Sequence, residues 1–116
     1  MTGLDLENEA AEGPIASMIS DGESFVKSAK GAKGSGKSRA QFVLTDQKLI
    51  RYKKGLLSES TDTYRLTNIS AVDFSSTPFK RILSISGSGV DEDFGLHPDS
   101  DPEEFANMLR EQVAEA

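Results

Sequence analysis

The stretch Phe42–Lys54, FVLTDQKLIRYKK, constrains the fold more than any other part of the chain. Phe42 and Leu44 alternate with Gln41, Val43 and Thr45, and side chains of period two point to opposite faces of a strand. Leu49 and Ile50 resume an apolar run after Thr45-Asp46, a dipeptide suited to a turn because Asp can bond its own backbone two residues on. Two short strands joined by a tight turn follow, and the rest of the chain must supply their partners.

The flanking sequence supplies them. Glu23–Lys30 reads as a first strand anchored by Phe25, Ser38–Thr45 as the second and Gln47–Lys54 as the third. Leu57–Leu66 carries Thr61, Thr63 and Tyr64, residue types that favour a pleated surface. Asn68–Ser75, Phe79–Ser86 and Val90–Leu96 follow, with Thr77-Pro78 and Gly87-Ser88-Gly89 as breaks. Asp21-Gly22 and Gly55 mark further turns. Near the C-terminus, Asp101 stands as an N-cap, Pro102 as the first helical residue and Glu104 at the capping-box spacing. Phe105, Met108, Leu109, Gln112 and Val113 then share one helical face. At the other end, Ile15, Met18 and Ile19 predict a short helix over Pro14–Ser20, and the acidic stretch 1–13 reads as a disordered tail. Seven short strands and a greasy terminal helix predict a mostly β domain over residues 14–116, an antiparallel barrel or sandwich capped by the helix.

Composition narrows the function classes. With 116 residues the chain fits one domain. It has no Cys, which removes disulfides, thiolate nucleophiles and Cys-ligated metals and suits a reducing compartment. No apolar run approaches the ~20 residues of a membrane helix, and the acidic N-terminus lacks the apolar core of a signal peptide. The expectation is a cytoplasmic protein. The net charge of -6 conceals an asymmetry. Residues 27–54 hold nine basic side chains and one acid, Asp46, a net +8, while the remainder stands at -14. The plain reading is a well-solvated surface; the alternative is a basic patch with an anionic partner.

Ile19-Ser20-Asp21-Gly22-Glu23 ahead of a strand, Leu44-Thr45-Asp46-Gln47-Lys48-Leu49-Ile50, Leu66-Thr67-Asn68-Ile69-Ser70-Ala71-Val72 and the face Phe105–Val113 together resemble the bacterial pleckstrin-homology-like domains. Those domains carry a Gly-Glu pair before strand one, a Leu-Thr-Asp turn between strands two and three, and a Leu-x-x-Ile-x-x-Val segment after strand four. The resemblance spans roughly residues 14–114, and Gln47-Lys48 departs mildly from a position often held by Arg. It implies seven antiparallel strands in two packed sheets with a capping C-terminal helix. It also implies a module that binds proteins or assembles with itself, since many members have no enzymatic activity and some form rings.

Several motifs invite chemistry. Gly31-Ala32-Lys33-Gly34-Ser35-Gly36-Lys37-Ser38 matches the phosphate-loop pattern G-x-x-x-x-G-K-S letter for letter. That loop works only where a helix starts at its Lys-Ser, and here the following RAQFVLT alternates as a strand, so no nucleotide is expected. A glycine-rich hairpin loop accounts for the same letters. Lys30 followed by Lys37-Ser38-Arg39 resembles the spacing with which lipid-binding pleckstrin-homology domains grip inositol phosphates. Lys27, Lys30, Lys33, Lys37, Arg39, Lys48 and Arg51 are therefore candidate contacts for a polyanion or anionic membrane. Nucleic acid is not expected, because aromatic residues for stacking are scarce among these bases. His97 is the only histidine and reads as a linker residue before Pro98. Asp91-Glu92-Asp93 and Asp99–Asp101 lack the spacing of a calcium loop. No catalytic constellation, metal site or cofactor is expected. Two readings stay open: a non-enzymatic interaction or assembly module, and peripheral attachment to anionic surfaces through the 27–39 hairpin.

Overall fold

The turn at Thr45–Asp46 sets the register of the first sheet, by a different device from the one its Asp suggests. The Thr45 hydroxyl accepts the backbone N–H of Gln47 at 3.1 Å and of Lys48 at 3.0 Å. Asp46 is left to tie the turn to the segment before strand one: its Oδ1 accepts the Ser24 N–H at 2.9 Å. A hydroxyl closes such a turn as a carboxylate does, through a local side-chain to backbone bond.

A computed structural model describes residues 19–32, 40–54 and 59–116. Its strands are β1 (Phe25–Lys30), β2 (Ala40–Thr45), β3 (Lys48–Lys54), β4 (Glu59–Arg65), β5 (Ile69–Ser76), β6 (Arg81–Gly87) and β7 (Val90–Gly95), followed by helix α1 (Pro102–Glu115). All pairings are antiparallel, in the orders β1-β2-β3-β4 and β5-β6-β7. The barrel alternative is thus corrected to a sandwich of two sheets. They touch at one corner, where Gly31 bridges Leu96, the Ala32 N–H donates to the Gly95 carbonyl at 2.8 Å and the His97 N–H to the Lys30 carbonyl at 2.9 Å. On the other side a 3-10 turn, Leu66–Asn68, carries the chain from β4 to β5, and α1 packs on β5 and β1.

The predicted N-terminal helix falls mostly outside the described residues, as does the tail 1–13; Ile19 forms a bend and Ser20 is irregular. The Ser20–Glu23 turn has its N–H to carbonyl bond at 3.0 Å and Gly22 at φ 85°, a conformation that favours Gly. The predicted Gly55 turn lies outside the described residues.

The core fills the space between the sheets. Phe42 and Leu44 of β2 and Leu49 of β3 meet Leu83, Ile85, Phe94 and Leu96, with Phe105, Ala106 and Leu109 of α1 closing the end. The Phe42 and Phe94 rings lie 5.0 Å apart, tilted by 52°, within the range of favourable aromatic pairs. The alternation expected of β2 suggested one buried face. Both are buried: Val43, Ile50 and Tyr52 form a second cluster on the outward face of the first sheet, with Ile19 and Phe25 against it. The stripe of α1 is as expected, Phe105 and Leu109 fully buried and Met108, Gln112 and Val113 half-buried.

The helix start departs from expectation. Asp101 precedes the first helical residue but sits at φ 48°, ψ 58° and makes no side-chain cap bond. Glu104 turns instead to Lys27 of β1. The Cβ atoms of a helix tilt toward its N-terminus, which carries a first-turn side chain to its neighbour.

Candidate functional site

Four of the seven candidate basic residues, Lys27, Lys30, Lys48 and Arg51, lie among the described residues, and these four do not share one face. Lys33, Lys37 and Arg39 lie outside the described residues. Register places the other four on different faces of the first sheet. Lys27 stands opposite Leu44, on the inner side, and Lys30 opposite Gln41, on the outer side. Arg51 pairs with Phe42, again inner, while Lys48 lies beside the turn on the outer side.

Lys27, Arg51 and Lys48 each meet an acid within the fold. Lys27 Nζ lies 3.3 Å from Glu104 Oε1, joining β1 to α1. Arg51 Nη1 lies 2.9 Å from Asp62 Oδ2, and its guanidinium carbon is 5.9 Å from the centroid of the Phe94 ring. Lys48 Nζ lies 3.3 Å from Glu23 Oε1, a carboxylate whose side chain is wholly buried.

Glu23 is the polar residue the motif reading undervalued. It was legible only as half of a Gly-Glu pair. In the fold its carboxylate accepts the Ser20 N–H at 2.7 Å, the Thr45 hydroxyl and the Lys48 ammonium. Burial alone would push its carboxyl up; the bonds from Thr45, Ser20 and Lys48, with the Lys48 charge, outweigh that and hold it below its ordinary value. The cluster knots the segment before β1 to the β2–β3 turn. Tyr64 moves the other way: burial, then the negative charges of Glu92 and Asp62, raise its hydroxyl above the ordinary range, against the opposing charge of Arg51.

The remaining motifs take structural places. Gly31 of the phosphate-loop-like run is part of the corner bridge, and the segment from Ala40, which that loop would need as helix, is strand β2. His97 Nδ1 accepts the Asp99 N–H at 3.1 Å and caps the 3-10 turn Pro98–Ser100. Among the described residues no three His, Asp or Glu side chains converge to hold a metal ion. Nor is any helix among them long and apolar enough to cross a membrane.

The sheet edges differ in character. The edge of β5 is closed by α1, whose Arg110 guanidinium donates to the Val72 carbonyl at 3.3 and 3.1 Å. The free side of β7 carries Asp91, Glu92 and Asp93, all exposed. β4 ends the first sheet, and no strand among the described residues pairs with its outer side. Its Ser60, Thr61 and Thr63 are exposed and uncharged.

This architecture is a pleckstrin-homology-like fold. It is similar to the crystal structure of a DUF1696 family protein with a pleckstrin-homology domain from Shewanella loihica PV-4, with a TM-score of 0.71 at 17% identity, covering 91% of this chain and 95% of that one. No family model matches the chain, and no curated protein matches it.

Proposed function

We propose that the chain is a non-enzymatic interaction module that receives an extended segment of a protein on the free edge of β4. The observation that carries this is the contrast among the edges. β5 is capped by Arg110 and β7 carries three consecutive acids, but β4 offers an outer backbone row flanked by the exposed, uncharged Ser60, Thr61 and Thr63, with its Asp62 already paired to Arg51. Exposed edges of this kind accept a further strand, the backbone bonds giving affinity and alternate side chains specificity. Long hydrophobic edges invite aggregation; the Thr-rich edge here suits selective pairing. The lack of Cys fits a reducing compartment such as the cytoplasm.

The test is a titration of the chain with a synthetic strand peptide of its own Glu59–Arg65 sequence, followed by amide chemical shifts. Shifts centred on β4 are expected, and they should vanish in the Thr61→Pro/Thr63→Pro variant. No shift at millimolar peptide would refute the reading. Peripheral attachment to anionic lipid has less support, because Lys27, Lys48 and Arg51 are already paired with acids.

A further inference from the structure

Among the described residues, Phe79 is the large apolar side chain that stands in solvent, 89% exposed. Its turn is well braced. The Thr77 hydroxyl accepts the N–H of Phe79 at 3.3 Å and of Lys80 at 3.0 Å, and the Thr77 N–H donates to the Lys80 carbonyl at 2.8 Å. Three bonds across four residues present the Phe79 ring and the exposed Lys80 together as a knob at the end of the β5–β6 hairpin.

Beside the knob lies an open cleft of about 350 Å³, between the hairpin end and the start of α1. Phe74, Pro98 and Pro102 give it apolar walls, and Arg81, Asp101 and Glu103 stand around it. Glu104 also borders it but is taken by Lys27. Two carboxylates against one guanidinium leave the rim negative, the complement of Lys80. The cleft is open, and more of its lining is polar than apolar, so it offers a ring a lip to rest against rather than an enclosed pocket. Phe79 does not fold back into it; the turn holds the ring away.

Knob and cleft share one hairpin end, since Ser76 lines the cleft just before the turn and Arg81 just after it. Adjacent complementary patches on one molecule suit a twofold contact, in which each copy gives what the other receives. We propose that two copies of this chain dimerise through this end. Phe79 of each sits between Phe74, Pro98 and Pro102 of the other, with Lys80 against Asp101 and Glu103. The contact uses no part of β4 and stands whether or not that edge binds a strand. An interface of this kind lies below the ~1,000 Å² of stable complexes, so the dimer is weak and concentration-dependent.

Sedimentation equilibrium of the full chain tests this. The average mass should climb from the 12.5 kDa of one chain toward twice that value with concentration, more steeply at low salt. Phe79→Ser should lower the association constant at least tenfold while leaving the circular dichroism unchanged, because the side chain touches no core. Lys80→Glu should weaken association, and Lys80→Glu with Glu103→Lys should restore it. A wild-type chain that stays at one-chain mass throughout overturns the proposal. So does a Phe79→Ser variant that associates like the wild type. Anionic vesicles bound through Phe79 by a strictly single chain would assign the knob to lipid instead.

Discussion

Replacing Glu23 with Gln probes the knot that holds β1 to the β2–β3 turn. The carboxylate takes three donors, from the Ser20 backbone, the Thr45 hydroxyl and the Lys48 ammonium. Hydrogen bonds to charged groups contribute about 1.5–3 kcal/mol each in mutational series, without adding. Gln keeps the shape and one acceptor oxygen, but loses the charge and turns an amide donor toward Thr45 or Lys48. Lys48 retains 20% side-chain exposure and can swing toward water, so the loss stays under the ~3–5 kcal/mol of breaking a fully buried pair. About 2 kcal/mol is expected at pH 7, a large part of the ~5–15 kcal/mol that holds a typical domain. The sign of the pH dependence follows from the lowered carboxyl. Its stabilisation is present above the ordinary value of 4.5 and is lost as pH falls through the lower folded value. Urea titrations of both chains at pH 7 and pH 3 should therefore show a gap at pH 7 that narrows at pH 3, with slopes unchanged. Equal midpoints at pH 7, or a gap of the same size at both pH values, would refute the role given to Glu23.

Two further substitutions test the packing around β5. Gly87→Ala would place a Cβ 1.9 Å from the Asn68 carbonyl oxygen and 2.8 Å from the Ser70 nitrogen, both backbone atoms. About 3 kcal/mol of destabilisation is expected by calorimetry, the upper part of the range for overpacking. Arg110→Ala removes both donors from the Val72 carbonyl and should cost about 1–2 kcal/mol in thermal melts, with more aggregation on heating because the β5 edge is uncovered.

Much of this fold is legible in the sequence, because its local signals agree with its global arrangement. Each predicted strand appears within a few residues of its expected bounds, and the helix presents Phe105 and Leu109 inward as its period demands. What periodicity does not convey is how two sheets meet. The choice of sandwich over barrel rests on where the ladders stop: among the described residues the strands pair as two separate sheets joined by the isolated bridge of Gly31 to Leu96, a pair far apart in sequence with no pattern to announce it. Nor does alternation reveal that Val43, read as the outward neighbour of Phe42 and Leu44, is buried too. A half-buried and a fully buried strand differ only in what lies beyond the second face, and that is a tertiary property. Capping failed for a related reason. Asp101 and Glu104 have the right spacing, but Lys27 on another element offers Glu104 an ionic partner.

The charge pattern misleads in an instructive way. Residues 27–54 are strongly basic along the chain, yet acids from outside that stretch reach three of its cations: Glu104 meets Lys27, Glu23 meets Lys48 and Asp62 meets Arg51. Linear segregation becomes spatial interleaving, because antiparallel pairing and helix docking bring distant segments side by side. A basic run therefore argues for an anionic ligand only through the cations that folding leaves unmatched. By the same reasoning an interaction surface should be sought where folding leaves a group unsatisfied. Among the described residues, two such places are the outer row of β4 and the solvent-facing ring of Phe79, neither of which the composition of the chain singles out.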